Sequence, residues 1–221
     1  MGAIEHPPIV RLPGIPDHVT YTWLVMIVLA TLAFLASRRL ALVPRGLQNA
    51  MEVVLEQFQG LIDDVIGPEG RPYLPLIATL GLFILTGNLL GLVPTFESPT
   101  MFPPVPLGCA LASFLYFNMQ GFREQGPIGY AKHFAGPIWW LAWLMFPIEI
   151  ISTLARPLSL TIRLYANTFA GEQVTLAFLA MVPLGIPVIF YGLHVFVAFL
   201  QAYIFTLMTM IYVQGAVSHE H

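Results

Sequence analysis

The chain has 221 residues, of which 57% are hydrophobic and only 10% are charged, and its formal net charge is −3. Soluble domains carry about 25% charged residues, so this composition indicates an integral membrane protein. A negative net charge leaves no basic surface to neutralise phosphates, which argues against a nucleic-acid partner. We also expect no cleavable signal peptide, because the first 18 residues contain four prolines and no apolar core.

Three apolar stretches and one amphipathic stretch divide the first half of the chain. Residues 19–36 form the first predicted span, close to the ~20 residues that cross a ~30 Å hydrocarbon core. Residues 46–66 combine helical apolar spacing with an acidic polar face, which predicts an interfacial helix that docks on protein rather than on anionic lipid. Residues 74–93 and 107–121 are the second and third predicted spans, and a charged loop is expected after the third, with Arg123, Glu124 and Lys132.

The second predicted span carries a pair of glycines near its end. Gly87 and Gly91 are four residues apart, a spacing that lets a second helix approach closely in a membrane.

Residues 138–216 are apolar over too great a length for two ordinary spans. A straight helix over 138–180 would extend roughly 65 Å, about twice the hydrocarbon thickness. The pattern predicts a steeply tilted helical hairpin, with bends permitted at Pro147 and Pro157 and a turn at 183–187. The expected fold is thus an all-α integral membrane domain over 1–221, with about five embedded helices and one interfacial amphipathic helix.

Basic residues predict how this domain is oriented. Most of the nine Lys and Arg residues fall on one side under the predicted topology, and the positive-inside rule makes that side cytoplasmic. The N-terminus is then external and the C-terminus cytoplasmic. No internal repeat is evident, which weakens an interpretation as an inverted-repeat transporter. The residues on the basic side are Arg38, Arg39, Arg45, Arg71, Arg123 and Lys132.

Arg163 is the most unusual residue, since it lies in the middle of a long apolar segment. A charged side chain at a helix centre in lipid costs roughly 3 kcal/mol on insertion scales. Arginine cannot avoid this cost by releasing its proton, and no carboxylate occurs within one helical turn of Arg163. The sequence therefore favours a functional role for Arg163 over a structural ion pair.

Other polar residues recur at helical spacing on the same segment. Glu149, Arg156 and Arg163 are seven residues apart and Asn167 follows one turn later, so all four share one stripe of the helix. Simpler roles are also open: Glu149 can stabilise a helix start after Pro147, and Arg156 is interpreted as extending toward the interface.

A second stripe lies on the last helix, where His194 and Gln201 are seven residues apart. Two antiparallel helices would place Gln201 near Arg163 and His194 near Glu172, which lies about half a turn round from Arg163. Protonatable groups on either side of a fixed cation suit a proton path. Alternatively, Glu172 marks a helix break, His194 belongs to an aromatic belt and Gln201 joins helices.

The segments that contain these residues resemble subunit a of F-type ATP synthases. The resemblance covers 157–172 around Arg163, the His194-x6-Gln201 pattern of the last helix, and the Asn88-Leu-Leu-Gly91-Leu-Val-Pro94 run. It extends from about Tyr73 to the C-terminus. The stretch after Thr100 lacks the Asn- and Thr-rich residues of many relatives, so no polar lining is assigned to 101–121.

The resemblance implies a non-catalytic stator subunit in a bacterial inner membrane, with no cofactor. Its expected partners are the c-ring with its membrane carboxylate, peripheral-stalk b subunits and lipid. Arg163 would face the ring and separate two half-channels. No nucleotide is expected, since the chain has no phosphate-binding Gly-x4-Gly-Lys-Ser/Thr loop. The implied path residues are Gln201 and Asn167 beside the arginine, Glu172 and His194 on the external side, and Glu149 and Ser159 on the exit side.

Two other classes of protein remain compatible with the residues alone. A stand-alone secondary transporter would use Arg163 to bind an anionic substrate and would need no partner. A membrane scaffold would use Arg163 in a buried ion pair, so that its loss would mainly lower stability.

Overall fold

The computed structural model describes residues 14, 16–38, 41, 43–93, 96–135, 142–181 and 186–217, and at 127–135, 142, 186 and 187 the backbone alone. Six α-helices and two short 3-10 helices, Pro68–Tyr73 and Pro99–Met101, make up these ranges, which contain no strand. Four of the helices are long and apolar enough to cross a membrane. The α-helices are α1 Asp17–Ser37, α2 Leu47–Val65, α3 Leu74–Leu90, α4 Pro104–Ala135, α5 Ala142–Met181 and α6 Ile186–Val217.

The amphipathic helix α2 lies against the body of the protein, as the acidic polar face predicts. Its Ile62 is fully buried in a cluster with Ile77 of α3, Phe117 of α4 and Met210 of α6. Gly81 of α3 makes this close approach possible, because a Cβ there would lie 2.8 Å from the Phe58 ring. Burial of the apolar stripe thus holds α2 on protein.

The connection from α2 to α3 carries an exposed ion pair. Arg71 Nη2 lies 3.3 Å from Asp63 Oδ2, with 59% and 33% of the two side chains exposed. Exposed pairs of this kind contribute about 0–1 kcal/mol. A substitution of Arg71 is therefore expected to remove a positive charge with little effect on the fold.

The glycine pair at the end of α3 accommodates the segment that follows the helix. A Cβ at Gly91 would lie 2.8 Å from Ser98 Cβ, and a Cβ at Gly87 would lie 3.3 Å from Pro99 Cγ. The chain after α3 folds back onto the helix at these two positions. Small residues allow any neighbouring segment to approach the helix closely. The glycine spacing alone therefore does not identify which segment of the chain that neighbour is.

Helix α4 continues well beyond the predicted span 107–121, which corrects the expected charged loop. Arg123 and Glu124 lie on the helix, and the backbone departs from helical geometry only at Gly126, where φ is 69°. Gln125 Nε2 donates to the Ala216 carbonyl of α6 over 2.9 Å. Charged residues beyond the apolar stretch remain compatible with helix. The side chain of Lys132 lies outside the described residues.

Helices α5 and α6 form the predicted long hairpin. Helix α5 has 40 residues and runs without interruption through Pro147 and Pro157, so it is about 60 Å long and must tilt steeply to stay within a ~30 Å core. The antiparallel register is marked by the stacked rings of Phe178 and Phe190, 4.4 Å apart. The predicted turn at 183–187 falls mostly outside the described residues, since α6 begins at 186.

One face of the hairpin packs on the other helices and the opposite face is open. Leu160 and Leu164 of α5 are buried with Ile84 of α3 and Cys109 of α4, whereas the adjacent Ile162 is 54% exposed. Such an apolar exposed face requires lipid or another subunit to cover it. The exposed apolar residues of the hairpin include Leu154, Leu158, Ile162, Leu193, Phe196 and Phe199.

Candidate functional site

A cavity of about 830 Å³ lies between the C-terminal half of α5, the N-terminal half of α6, the end of α3 and residues 96–101. Its ionisable lining residues are Glu97, Glu172, Tyr191 and His194. Within the described residues, both of the predicted external path residues therefore share one cavity. Carboxylate and imidazole groups that line a space inside a membrane protein are typical of proton paths.

The inner end of the cavity is formed by Asn167 and Gln201, both of which line it. Gln201 is 2% exposed, and its Nε2 donates to the Arg163 carbonyl over 2.8 Å. Its Oε1 accepts from Asn167 Nδ2 over 3.3 Å. The resemblance implies a hydrogen bond from Gln201 to the arginine, and the structure places that bond on the backbone of Arg163.

Arg163 itself does not line this cavity, although its backbone lies at the inner end. Its side chain is half-buried and, among the residues with described side chains, its guanidinium makes no ion pair and no hydrogen bond. An unneutralised cation is costly at membrane depth. The guanidinium thus has no anionic partner among these described side chains.

His194 is held by α5 at two positions one helical turn apart. Its Nδ1 lies 3.2 Å from Thr175 Oγ1, and a Cβ at Gly171 would lie 2.9 Å from its Cδ2 and overlap Nε2. No ion pair or hydrogen bond joins His194 to Glu172. The predicted acid and imidazole thus share the cavity without a direct contact, because the ring is seated on Thr175 and Gly171.

The charge of Arg156, at the end of the α5 stripe away from the cavity, is neutralised by partners within the hairpin. Arg156 Nη2 lies 3.6 Å from Glu149 Oε1, and the guanidinium carbon is 5.1 Å from the centre of the Tyr212 ring. Arg156 therefore has partners on α5 and α6, where the sequence suggested extension toward the interface. Ser159 is exposed, one turn before Arg163. The structure pairs Glu149 with Arg156, and no ion pair or hydrogen bond joins Ser159 to either of them.

A sequence profile of the family described as ATP synthase A chain matches residues 19–214. The chain belongs to this family. It is 55% identical to ATP synthase subunit a of Solibacter usitatus over 80% of this chain and 76% of the relative. It is also 48% identical to ATP synthase subunit a of Koribacter versatilis, over 89% and 82%, and 47% identical to ATP synthase subunit a 2 of Syntrophotalea carbinolica, over 94% and 88%.

Membership fixes the broad role of the chain as a subunit a in the membrane sector of an F-type ATP synthase. Such a subunit takes part in proton transport coupled to ATP synthesis. The four long apolar helices agree with a multi-pass protein of a bacterial membrane. These findings confirm the family and the fold class that the sequence predicts.

Sequence reasoning missed a buried polar cluster beside the cavity. Ser98 Oγ donates to the Gly87 carbonyl over 3.0 Å and lies 2.7 Å from Thr100 Oγ1. Thr100 in turn contacts Asn88 Oδ1 and lies 3.4 Å from Thr168 Oγ1. The members come from α3, from the loop after it and from α5. The cluster forms only where these three segments meet, so in the sequence only the small polar type of its members in apolar surroundings could have indicated it.

Proposed function

We propose that this subunit a conducts protons to and from a carboxylate on a rotating ring of c subunits, through two offset access paths that Arg163 separates. The observation that carries the proposal is the position of the cavity. It contains Glu172 and His194 and ends at Gln201, whose amide is bonded to the backbone of Arg163, while the guanidinium has no partner among the described side chains.

The external path would run through the cavity to its inner end. A proton would pass Glu172 and His194, reach the level of Asn167 and Gln201, and neutralise the ring carboxylate there. Only the neutral carboxyl can then move into lipid at low cost, because a charged group is more costly there by several kcal/mol. Protonation in this path would therefore be required before the ring can turn.

The exit path would lie on the cytoplasmic side, toward Ser159 and Glu149. Glu149 is 23 residues from Glu172 on the continuous helix α5, about 35 Å along its axis, with Arg163 between them. At this end of the helix Glu149 supplies a carboxylate, and its ion pair neutralises Arg156. Arg156 is therefore not a second unpaired cation beside Arg163. The two paths would thus be offset along one helix.

Arg163 would act as the separator, since it cannot carry a proton onward. A ring carboxylate that loses its proton near Arg163 is stabilised by the positive charge. Each proton that follows the full route releases about 2.3 kcal/mol per 100 mV of membrane potential, and the ring captures this as rotation. The partners of this subunit would be the c-ring, the stalk b subunits and lipid. Its N-terminus would be external and its C-terminus cytoplasmic.

Glu172→Gln and His194→Ala are each expected to lower passive proton conductance through the membrane sector by at least about tenfold. Positioned proton-transfer groups contribute about 10²–10⁴ in rate, and water that fills the vacated space recovers part of this. The measurement is proton uptake by vesicles stripped of the catalytic sector. Glu56→Gln, which removes an exposed carboxylate of α2, is the matched control, and wild-type conductance in both path variants would remove these residues from the route.

A cysteine at Ile162 or Asn167 is expected to cross-link to a c subunit, because both positions are exposed on α5 beside Arg163. Gln201 is a poor choice, since it is buried within the chain. The native Cys109 is also buried and should stay unreactive. A cysteine at Trp23, equally exposed but on α1, is the control; equal yields at Trp23 and Ile162, or no product at either α5 position, would contradict the ring-facing assignment.

A further inference from the structure

Thr175 makes two polar contacts with a single hydroxyl. Its Oγ1 lies 3.0 Å from the Gly171 carbonyl, one turn earlier on α5, and 3.2 Å from His194 Nδ1 on α6. The Thr175 side chain is buried, at 4% exposure. A buried hydroxyl is expected to satisfy its hydrogen-bonding capacity with the groups next to it.

The number of hydrogens decides the direction of both bonds. A hydroxyl has one hydrogen to donate and lone pairs to accept, and the Gly171 carbonyl can only accept. Both contacts are hydrogen bonds at once only when Thr175 donates to Gly171 and accepts from His194 Nδ1–H. Neutral His194 then carries its hydrogen on Nδ1, and its lone pair is on Nε2.

We propose that Thr175 restricts proton exchange at His194 to Nε2, so that the proton is gained and released at the same nitrogen. This inference rests on the proposed role of His194 in the external path. The imidazolium keeps Nδ1–H donated to Thr175, so the bond persists in both protonation states. A proton adds to the Nε2 lone pair from the cavity and later leaves from Nε2, and no other bond changes.

Relay through Nδ1 is closed for a chemical reason. A proton passed from Nδ1 to Thr175 would require the hydroxyl to release its own hydrogen to its acceptor. That acceptor is the amide carbonyl of Gly171. An amide carbonyl accepts a hydrogen bond but is too weakly basic to take up the proton near neutral pH. Thr175 is therefore a positioning residue for His194, and it carries no proton itself.

Gly171 complements Thr175 by leaving room for the imidazole ring against the α5 backbone. A Cβ at residue 171 would overlap Nε2, so glycine is required for the ring to lie where Thr175 can hold it. The ionisable groups that line the cavity with His194 are Glu172 of α5, Tyr191 of α6 and Glu97 from the segment after α3. The α3 residues that line it, such as Asn88, are not ionisable.

The test compares passive proton conductance between about pH 5.5 and 8.5, the range in which histidine titrates, in stripped vesicles that contain the assembled membrane sector. The variants are Thr175→Val, Thr175→Ser, His194→Ala and the double variant Thr175→Val/His194→Ala. Valine keeps the shape of threonine and removes the hydroxyl, whereas serine keeps the hydroxyl. The amount of subunit a in the membrane is measured for each.

Thr175→Val is expected to move the midpoint of the pH profile lower by roughly 0.5–1 unit, because the bond to the charged ring is stronger than the bond to the neutral ring. Thr175→Ser should keep the wild-type profile, and the double variant should match His194→Ala. A wild-type profile for Thr175→Val, or an added loss in the double variant, would overturn the inference. Wild-type conductance in His194→Ala would instead reject the proposed path, which separates the two failures.

Discussion

Replacing Arg163 by alanine is expected to abolish ATP-driven proton pumping while subunit a stays in the membrane. The guanidinium has no ion pair among the described side chains, so its removal breaks no salt bridge to those side chains and relieves the cost of a charge at membrane depth. The loss should therefore appear in coupling rather than in assembly. Each proton that crosses without turning the ring dissipates about 2.3 kcal/mol per 100 mV.

The measurement is ATP-dependent acidification of inverted vesicles, with passive conductance measured on the same vesicles after removal of the catalytic sector. Pumping should fall to background while passive conductance is retained, because Glu172 and His194 remain in place. Arg71→Ala removes one positive charge from an exposed pair and should pump normally. Wild-type pumping by Arg163→Ala would end the separator proposal, and loss of the protein from the membrane would favour a structural role.

Much of the fold was accessible from the sequence because hydropathy and helical spacing are local properties. The predicted spans 19–36 and 74–93 largely coincide with α1 and α3, and the amphipathic stretch 46–66 with α2. The seven-residue spacing of His194 and Gln201 predicted two contacts across the hairpin. Gln201 does meet Arg163, since antiparallel helices keep a constant register once one pair is aligned.

Contacts that depend on how separate segments meet were not accessible. The glycine spacing at Gly87 and Gly91 indicated a close neighbour but did not show that it is the loop at Ser98 and Pro99. The apolar run that predicted 107–121 reflects only the composition of that segment, while α4 extends on to Ala135. Hydropathy indicates whether the residues of a segment suit lipid or water, whereas one helix can extend from lipid into water.

In the candidate site, too, the sequence indicates individual residues but not the contacts between separate segments. The residues proposed for the path could be named from the sequence because a charged or polar residue in an apolar segment is conspicuous. Their actual hydrogen-bond partners were missed: Thr175 for His194 and the backbone carbonyl for Gln201. Thr175 is uncharged and occurs in a segment that already contains polar residues, so its sequence position gives no reason to single it out. Partner choice is decided by side-chain direction on facing helices.

Gly171→Ala is expected to reduce passive proton conductance by roughly tenfold to a hundredfold, in line with the effect of a 1 Å misplacement at a reacting group. A methyl group there would overlap His194 Nε2, which forces the ring away from Thr175 and into the cavity. In a helix interior the same substitution otherwise stabilises by about 0.5–1 kcal/mol. A loss of conductance would therefore reflect the displaced ring and not a weaker helix.

Two companions make this prediction specific. Gly60→Ala adds a methyl group in the interior of α2, where nothing lies within 4 Å, and should conduct as wild type. The double variant Gly171→Ala/His194→Ala removes the ring that the methyl group displaces, so its conductance should equal that of His194→Ala alone. Proton uptake by stripped vesicles measures all four proteins. If Gly171→Ala conducts normally, or if the double variant conducts less than His194→Ala, the ring does not lie against Gly171 and Thr175.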